Sequence, residues 1–132
     1  MTTHLVDTNV LGELARQSPD KRVMEWAASM TSIGVSVVTV EEIFFGLAWK
    51  PNPRVRRWFQ EFFDDCEILA VTESIAGRAG EMRGQFRAEG KTRTQADMLI
   101  AATAAELGLT LVTRNIRDFD GCRISILNPF SK

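Results

Sequence analysis

Short β-branched runs alternate with stretches of helical period from one end of the chain to the other, and few folds accommodate that pattern. Leu5 and Val6 form the core of a short buried strand ending in Asp7-Thr8-Asn9, polar residues suited to starting a helix. Val10, Leu11, Leu14 and Ala15 then recur at helical spacing. Ser18-Pro19-Asp20 interrupts, and Val23, Trp26, Ala27 and Met30 make a second apolar stripe. Ile33 to Val38 reads as the second strand, and from Thr39 the period changes again, with Val40, Ile43, Phe44, Leu47 and Ala48 on one helical face. Pro51-Asn52-Pro53 ends that helix. Val55, Trp58, Phe59, Phe62 and Phe63 line the next one, followed by a strand over Ile68 to Val71. A helix from Ser74 to Ala88 carries Ile75, Ala79, Met82 and Phe86 and closes at Gly90. Thr94 to Leu107 is a further helix, Leu109 to Val112 a strand, and Ile124 to Leu127 a last strand at an edge. The pattern predicts an α/β fold, one domain over residues 1–132, with a mainly parallel sheet of about five strands flanked by helices.

Composition narrows the function classes. Sixteen Lys and Arg against seventeen Asp and Glu give a net charge of -1, so no general basic excess is available to hold a polyanion. A nucleic acid would have to be held by a local basic patch or by bound cations. Cys66 and Cys122 stand far apart without the spacing of a zinc site and read as free thiols of a reducing compartment. The start of the chain has no cationic segment before its apolar run, and no window approaches the ~20 apolar residues of a membrane span. A cytoplasmic location away from membranes is expected.

In an open parallel sheet, ligands bind beyond the carboxyl ends of the strands. Asp7 ends the first strand. Glu42 falls in the first turn of the helix after the second strand, and Asp97 opens the helix before the fourth. Thr113-Arg114-Asn115 and Asp118 follow the fourth strand itself. These carboxylates can converge on one rim, with Thr8, Asn9 and Thr39 among them. Capping offers a simpler role for each: Thr39 to Glu42 and Thr94 to Asp97 match the capping box, and Asp7 can accept from the next helix's N–H groups. Capping alone gives no reason for all of them to share one edge. Clustered carboxylates repel unless a cation sits between them, and Mg²⁺ or Mn²⁺ suits hard oxygen ligands and phosphoryl chemistry. His4 is the only histidine, which excludes a two-histidine ribonuclease and restricts any Ser-His-Asp triad to that residue. Most arginines read as a solvated face, with Lys91, Arg93 and Arg114 the candidates for phosphate contact. Trp26, Trp49, Trp58 and Phe59 are core or a partner surface.

LVDTNVLGEL, SVVTVEEIFFG, TQADMLIAATAAELGLTLVTRNIRDF and LNPF, in that order, resemble the PIN domain family. Within it the chain is similar to the VapC toxins of the FitB-like plasmid-stability branch, which the P-x-x-x-V-x-x-W form of Pro19 to Trp26 supports. The resemblance covers essentially the whole chain. It implies a metal-dependent endoribonuclease, the toxin of a type II toxin–antitoxin pair. Asp7, Glu42 and Asp97 would take the family's Mg²⁺-binding positions, with Mn²⁺ a substitute. Water activated there would attack the scissile phosphorus in line and leave 5′-phosphate and 3′-hydroxyl ends. Relatives often place Asp after T-R, where this chain has Asn115 and, three residues on, Asp118; both join the catalytic candidates. Thr8, Asn9, Thr113, Arg114 and Arg93 are the substrate-contact candidates. The resemblance also implies homodimers, or a hetero-oligomer with a VapB-like antitoxin that blocks the acidic pocket.

Two other readings stay open. A phosphatase would use Asp7 as phosphoacceptor, but Asn9 stands where the second acid is needed. A PIN-like module with a dead site would bind RNA or protein without needing Asp7, Glu42 and Asp97.

Overall fold

The computed structural model describes residues 1–131. Its strands are β1 (His4–Val6), β2 (Ile33–Ser36), β3 (Glu67–Leu69), β4 (Thr110–Val112) and β5 (Ile126–Leu127). They form one five-stranded sheet in the order β3-β2-β1-β4-β5, parallel at every pairing. His4 of β1 faces Ile33 on one side and Thr110 on the other. Between them run α1 (Thr8–Leu14), α2 (Lys21–Ala28), α3 (Val37–Trp49), α4 (Pro53–Asp65), α5 (Glu73–Ala88) and α6 (Gln95–Leu107), with a 3-10 turn over Ile116–Phe119 after β4.

The central strands are apolar on both faces, as parallel strands covered by helices must be. Leu5 and Leu111 point into a cluster with Ile75, Met98, Ile100 and Phe119. Their neighbours Val6 and Val112 point the opposite way, toward Val10, Leu11, Val23, Ile43 and Phe59. The two-residue period of each strand thereby places α5 and α6 on one face and α1 to α4 on the other. Each such fully buried aliphatic side chain contributes about 1.5–3 kcal/mol of transfer free energy. The chain runs outward from β1 to β3, then returns to lay β4 against the other side of β1. That reversal opens a crevice beyond the carboxyl ends of β1 and β4.

The expected α/β architecture and the edge position of the last strand are found. Strand limits differ: the third strand is Glu67–Leu69 rather than 68–71, and the last spans only Ile126–Leu127. The end of the second strand, at Ser36 rather than 38, matters more. β2 stops at Ser36 because the Ser36 side chain accepts from the Val38 N–H at 3.0 Å and starts α3 there. The capping box expected at Thr39–Glu42 therefore does not form, and Glu42 lies in the second turn of α3. Thr39 is 1% exposed and its Oγ1 has no hydrogen-bond partner among the described residues.

Phe59 is buried and Trp58 stacks on Phe62 with centroids 5.1 Å apart, so both are core. Trp26 is partly buried and packs against the α1–α4 side of the core. Trp49 is 73% exposed, beside Phe45 at 67%. Both cysteines are free, and burial pushes the Cys66 thiol up to about 11 and the Cys122 thiol upward as well, which leaves both poor nucleophiles. Among the described residues no helix is long and apolar enough to cross a membrane.

The helix start gives a paired prediction. Ser36→Ala should lower stability by about 0.5–2 kcal/mol through loss of the cap. Thr39→Val should raise it or leave it unchanged, because the hydroxyl it removes is buried without a partner. Denaturant unfolding reads both; a destabilising Thr39→Val would restore the capping role to Thr39.

Candidate active site

Asp7 is the first residue past β1 and the N-cap of α1. Its own N–H bonds the Val112 carbonyl at 2.9 Å, which fixes it at the seam between β1 and β4. Its side chain is 5% exposed. One carboxylate oxygen accepts from the Thr8 N–H at 2.8 Å; the other accepts from the Thr113 hydroxyl at 2.9 Å and the Asn9 amide at 3.1 Å. Capping and convergence thus coexist in one carboxylate. Thr113 is fully buried, and its Oγ1 accepts from the Asn115 N–H at 3.1 Å. The Asn9 side-chain carbonyl accepts from the Arg114 N–H at 2.9 Å. The loops after β1 and β4 are stitched together through Asp7.

Glu42 reaches the same rim from α3. Its Oε1 accepts from the Thr8 hydroxyl at 2.7 Å, tying α3 to α1. Asp97 stands in the first turn of α6, where the Thr94 hydroxyl accepts from its N–H at 3.0 Å, so half of the second expected capping box is present. Asp118 lies exposed in the 3-10 turn after β4, and Asn115, also exposed, precedes that turn.

Electrostatics show that these groups share one field. Burial raises the Asp97 carboxyl above its ordinary pKa; a hydrogen bond with Thr94 lowers it, and the charges of Asp7, Asp118 and Glu42 raise it further. Asp7 is likewise raised, first by burial, with the bonds from Thr113, Thr8 and Asn9 opposing and the Asp118 charge adding to it. The ion pairs among the described residues are Arg16–Glu13, Arg22–Asp20 and Arg78–Glu106, so none relieves this cluster. No three acidic, cysteine or histidine side chains among the described residues are gathered tightly enough to encase an ion. An oxygen-only donor set on an open rim, short of cations, fits a hard ion that keeps several waters, as Mg²⁺ does.

The remaining candidates divide. Arg114 is exposed, with its guanidinium 4.4 Å from the Phe130 ring centre and no ion pair among the described residues; the sequence carried no signal for Phe130 as its platform. Arg93, read from the sequence as a phosphate contact, spends its donors instead on the Asp118 and Asp120 carbonyls. Thr8, Asn9 and Thr113 direct theirs at the carboxylates Glu42 and Asp7. Thr39 is buried away from any partner. His4 bonds Thr3 and packs edge-on against Trp26 at 6.2 Å, with no triad around it. A groove of about 920 Å³ lined by Ser74, Arg78, Glu106 and Cys122 contains none of the rim carboxylates.

The raised carboxyls make a signed prediction. A group whose pKa is higher folded than unfolded costs stability once pH rises past its ordinary range and through the raised value. Asp97→Asn removes that cost, so in EDTA the variant should melt above the parent at about pH 7, the gap closing toward about pH 4. A variant melting lower at neutral pH would mean that Asp97 serves α6 as a cap.

Residues 4–121 match the PIN domain family. Among the relatives, the VapC ribonuclease Y4jK of Sinorhizobium fredii is 32% identical over 135 residues, covering 96% of each chain. Toxin FitB of Neisseria gonorrhoeae is 30% identical over 96% of this chain and 97% of its own. The crystal structure of FitAcB from Neisseria gonorrhoeae superposes with a TM-score of 0.85 at 29% identity, over 98% of this chain and 100% of that one. Fold and sequence agree: the chain belongs to the PIN domain family and is similar within it to VapC and FitB toxins.

Proposed function

We propose that this chain is an endoribonuclease of the VapC kind, the toxin of a type II toxin–antitoxin pair, hydrolysing RNA phosphodiester bonds with Mg²⁺ or Mn²⁺ in the cytoplasm. One observation carries the proposal: Asp7, Glu42, Asp97 and Asp118 come from separate parts of the chain to one rim, where the charges of Asp7, Asp118 and Glu42 add to burial in raising Asp97 and that of Asp118 adds to burial in raising Asp7, and none of the four forms an ion pair among the described residues. Relatives named ribonuclease and toxin support it.

Asp7 and Asp97 would hold the ion, with Glu42 beside them. When bound, such an ion neutralises charge developing on the phosphoryl group and lowers the pKa of water. The chain's own residues do the rest. Thr113 and Asn9 fix the carboxylate plane of Asp7, and Thr8 fixes Glu42, so neither has to be ordered when substrate arrives. Asp118 adds negative charge at the open side, where Asn115 brings none. Arg114, its guanidinium over Phe130, presents donors for a phosphate. The crevice being acidic, an arginine from an antitoxin would fill it well, which is the physical basis proposed for inhibition by a VapB-like partner. The exposed Phe45 and Trp49 are offered to the homodimer or to that partner. A phosphatase reading loses ground because the Asn9 amide and both Asp7 oxygens are already engaged with each other and with Thr8 and Thr113.

The test is cleavage of mixed cellular RNA by the purified protein with Mn²⁺ or Mg²⁺. Cuts should vanish in EDTA, fall by more than about a hundredfold in Asp7→Asn, and fall about 10–100-fold in Thr113→Val, which leaves the ligand but removes its support. A protein whose thermal stability does not respond to Mn²⁺ and which makes no cuts is the inactive binding module instead.

A further inference from the structure

Arg93 makes no ion pair among the described residues, yet it is among the most engaged cations of the chain. Its two terminal nitrogens donate to successive sites on the 3-10 turn: one to the Asp118 carbonyl and one to the Asp120 carbonyl at 2.8 Å. Its guanidinium carbon lies over the Phe86 ring, 4.3 Å from the ring centre. Phe86, itself 8% exposed, touches the same loop independently: a Cβ added at Gly121, whose φ is +83°, would meet the ring at 3.2 Å. The carbonyls that Arg93 takes lie at the end of the turn, where partners within the turn run out.

The location gives this clamp its meaning. Arg93 immediately precedes Thr94, the N-cap of α6, and Asp97 sits in the first turn beyond it. One guanidinium therefore joins the start of the helix carrying Asp97 to the turn carrying Asp118. Those carboxylates repel each other, and the turn is short and, apart from the buried Phe119 at its end, exposed; repulsion pushes its Asp118 part outward against whatever ties it. Only a planar fork can hold two carbonyls while stacking on a ring, which a lysine ammonium cannot do.

We propose that Arg93 is a positioning residue: clamped between Phe86 and the Asp118 and Asp120 carbonyls, it sets the spacing of Asp118 from Asp97 and does not contact substrate phosphate. This role rests on the nuclease reading above, but part of its test does not require cleavage. In metal-free Arg93→Lys, amide hydrogen exchange across residues 115–122 should speed up, and Mn²⁺ affinity measured by calorimetry should weaken about tenfold or more. With RNA, kcat should fall about 10–100-fold at unchanged KM and unchanged salt dependence. Phe86→Leu, which keeps the arginine and removes its platform, should shift all of these the same way by less, and it serves if the lysine variant does not fold. Raised KM with a salt slope reduced by about one and unaltered exchange would make Arg93 a phosphate contact and overturn the proposal. Faster exchange with unchanged Mn²⁺ affinity would overturn it too, leaving a structural tie only. If the parent protein cuts no RNA, the nuclease reading falls, while exchange and Mn²⁺ affinity still decide the clamp.

Discussion

The hydrogen bond from the Thr113 hydroxyl to the Asp7 carboxylate holds together what the rest of the rim depends on. It crosses the seam between β1 and β4, the one place where the chain reverses its direction of travel across the sheet. Parallel strands expose their last peptide groups at such a seam, and Asp7 closes it twice, through its backbone to Val112 and through its side chain to Thr113. A carboxylate this deeply buried stays tolerable only because donors converge on it. Thr8, Asn9 and Thr113 supply them. Asn9 and Thr113 in turn take up N–H groups of Arg114 and Asn115, so the loop leading to Asp118 is positioned by the same carboxylate.

Around that anchor the chain accepts an electrostatic cost. Asp97 and Asp7 both hold their protons more tightly than free carboxyls do, chiefly from burial and then from their acidic neighbours. Several cations elsewhere are put to structural work: Arg54 donates to the Ala15 carbonyl at 3.0 Å, and Arg56 packs over Phe44 at 5.6 Å. A rim built for stability alone would have placed one of them among the carboxylates. A site built for a removable cation, supplied by metal or by an inhibitor's arginine, would not.

Much of this was legible in the sequence, for identifiable reasons. Alternating period gives strands and helices, and parallel topology follows from their alternation, so Asp7 after β1 and Thr113 after β4 land on one edge without any knowledge of contacts. The capping motif at Thr94 was readable because Thr94 stands three residues before an acid, Asp97, at the head of that apolar stretch. At Thr39 the same pattern misled. Ser36 lies three residues upstream and starts α3 first, and β-branched Val37 and Val38, strand formers by propensity, were absorbed into the helix. The contacts of Arg93 stayed hidden for a different reason. A cation beside an acidic site looks like a phosphate ligand until the fold brings up carbonyls 25 and 27 residues away and the Phe86 ring beneath it. Long-range hydrogen bonds of that sort leave no periodic trace.

The central claim is that the rim at the β1–β4 seam is a cation site held in place by Thr113 and Asn9. Anomalous diffraction from crystals soaked in Mn²⁺ tests it without reference to any substrate. The account predicts a peak against Asp7 and Asp97, lost in Asp7→Asn. Manganese found only elsewhere on the surface, or nowhere at saturating concentration, would contradict it.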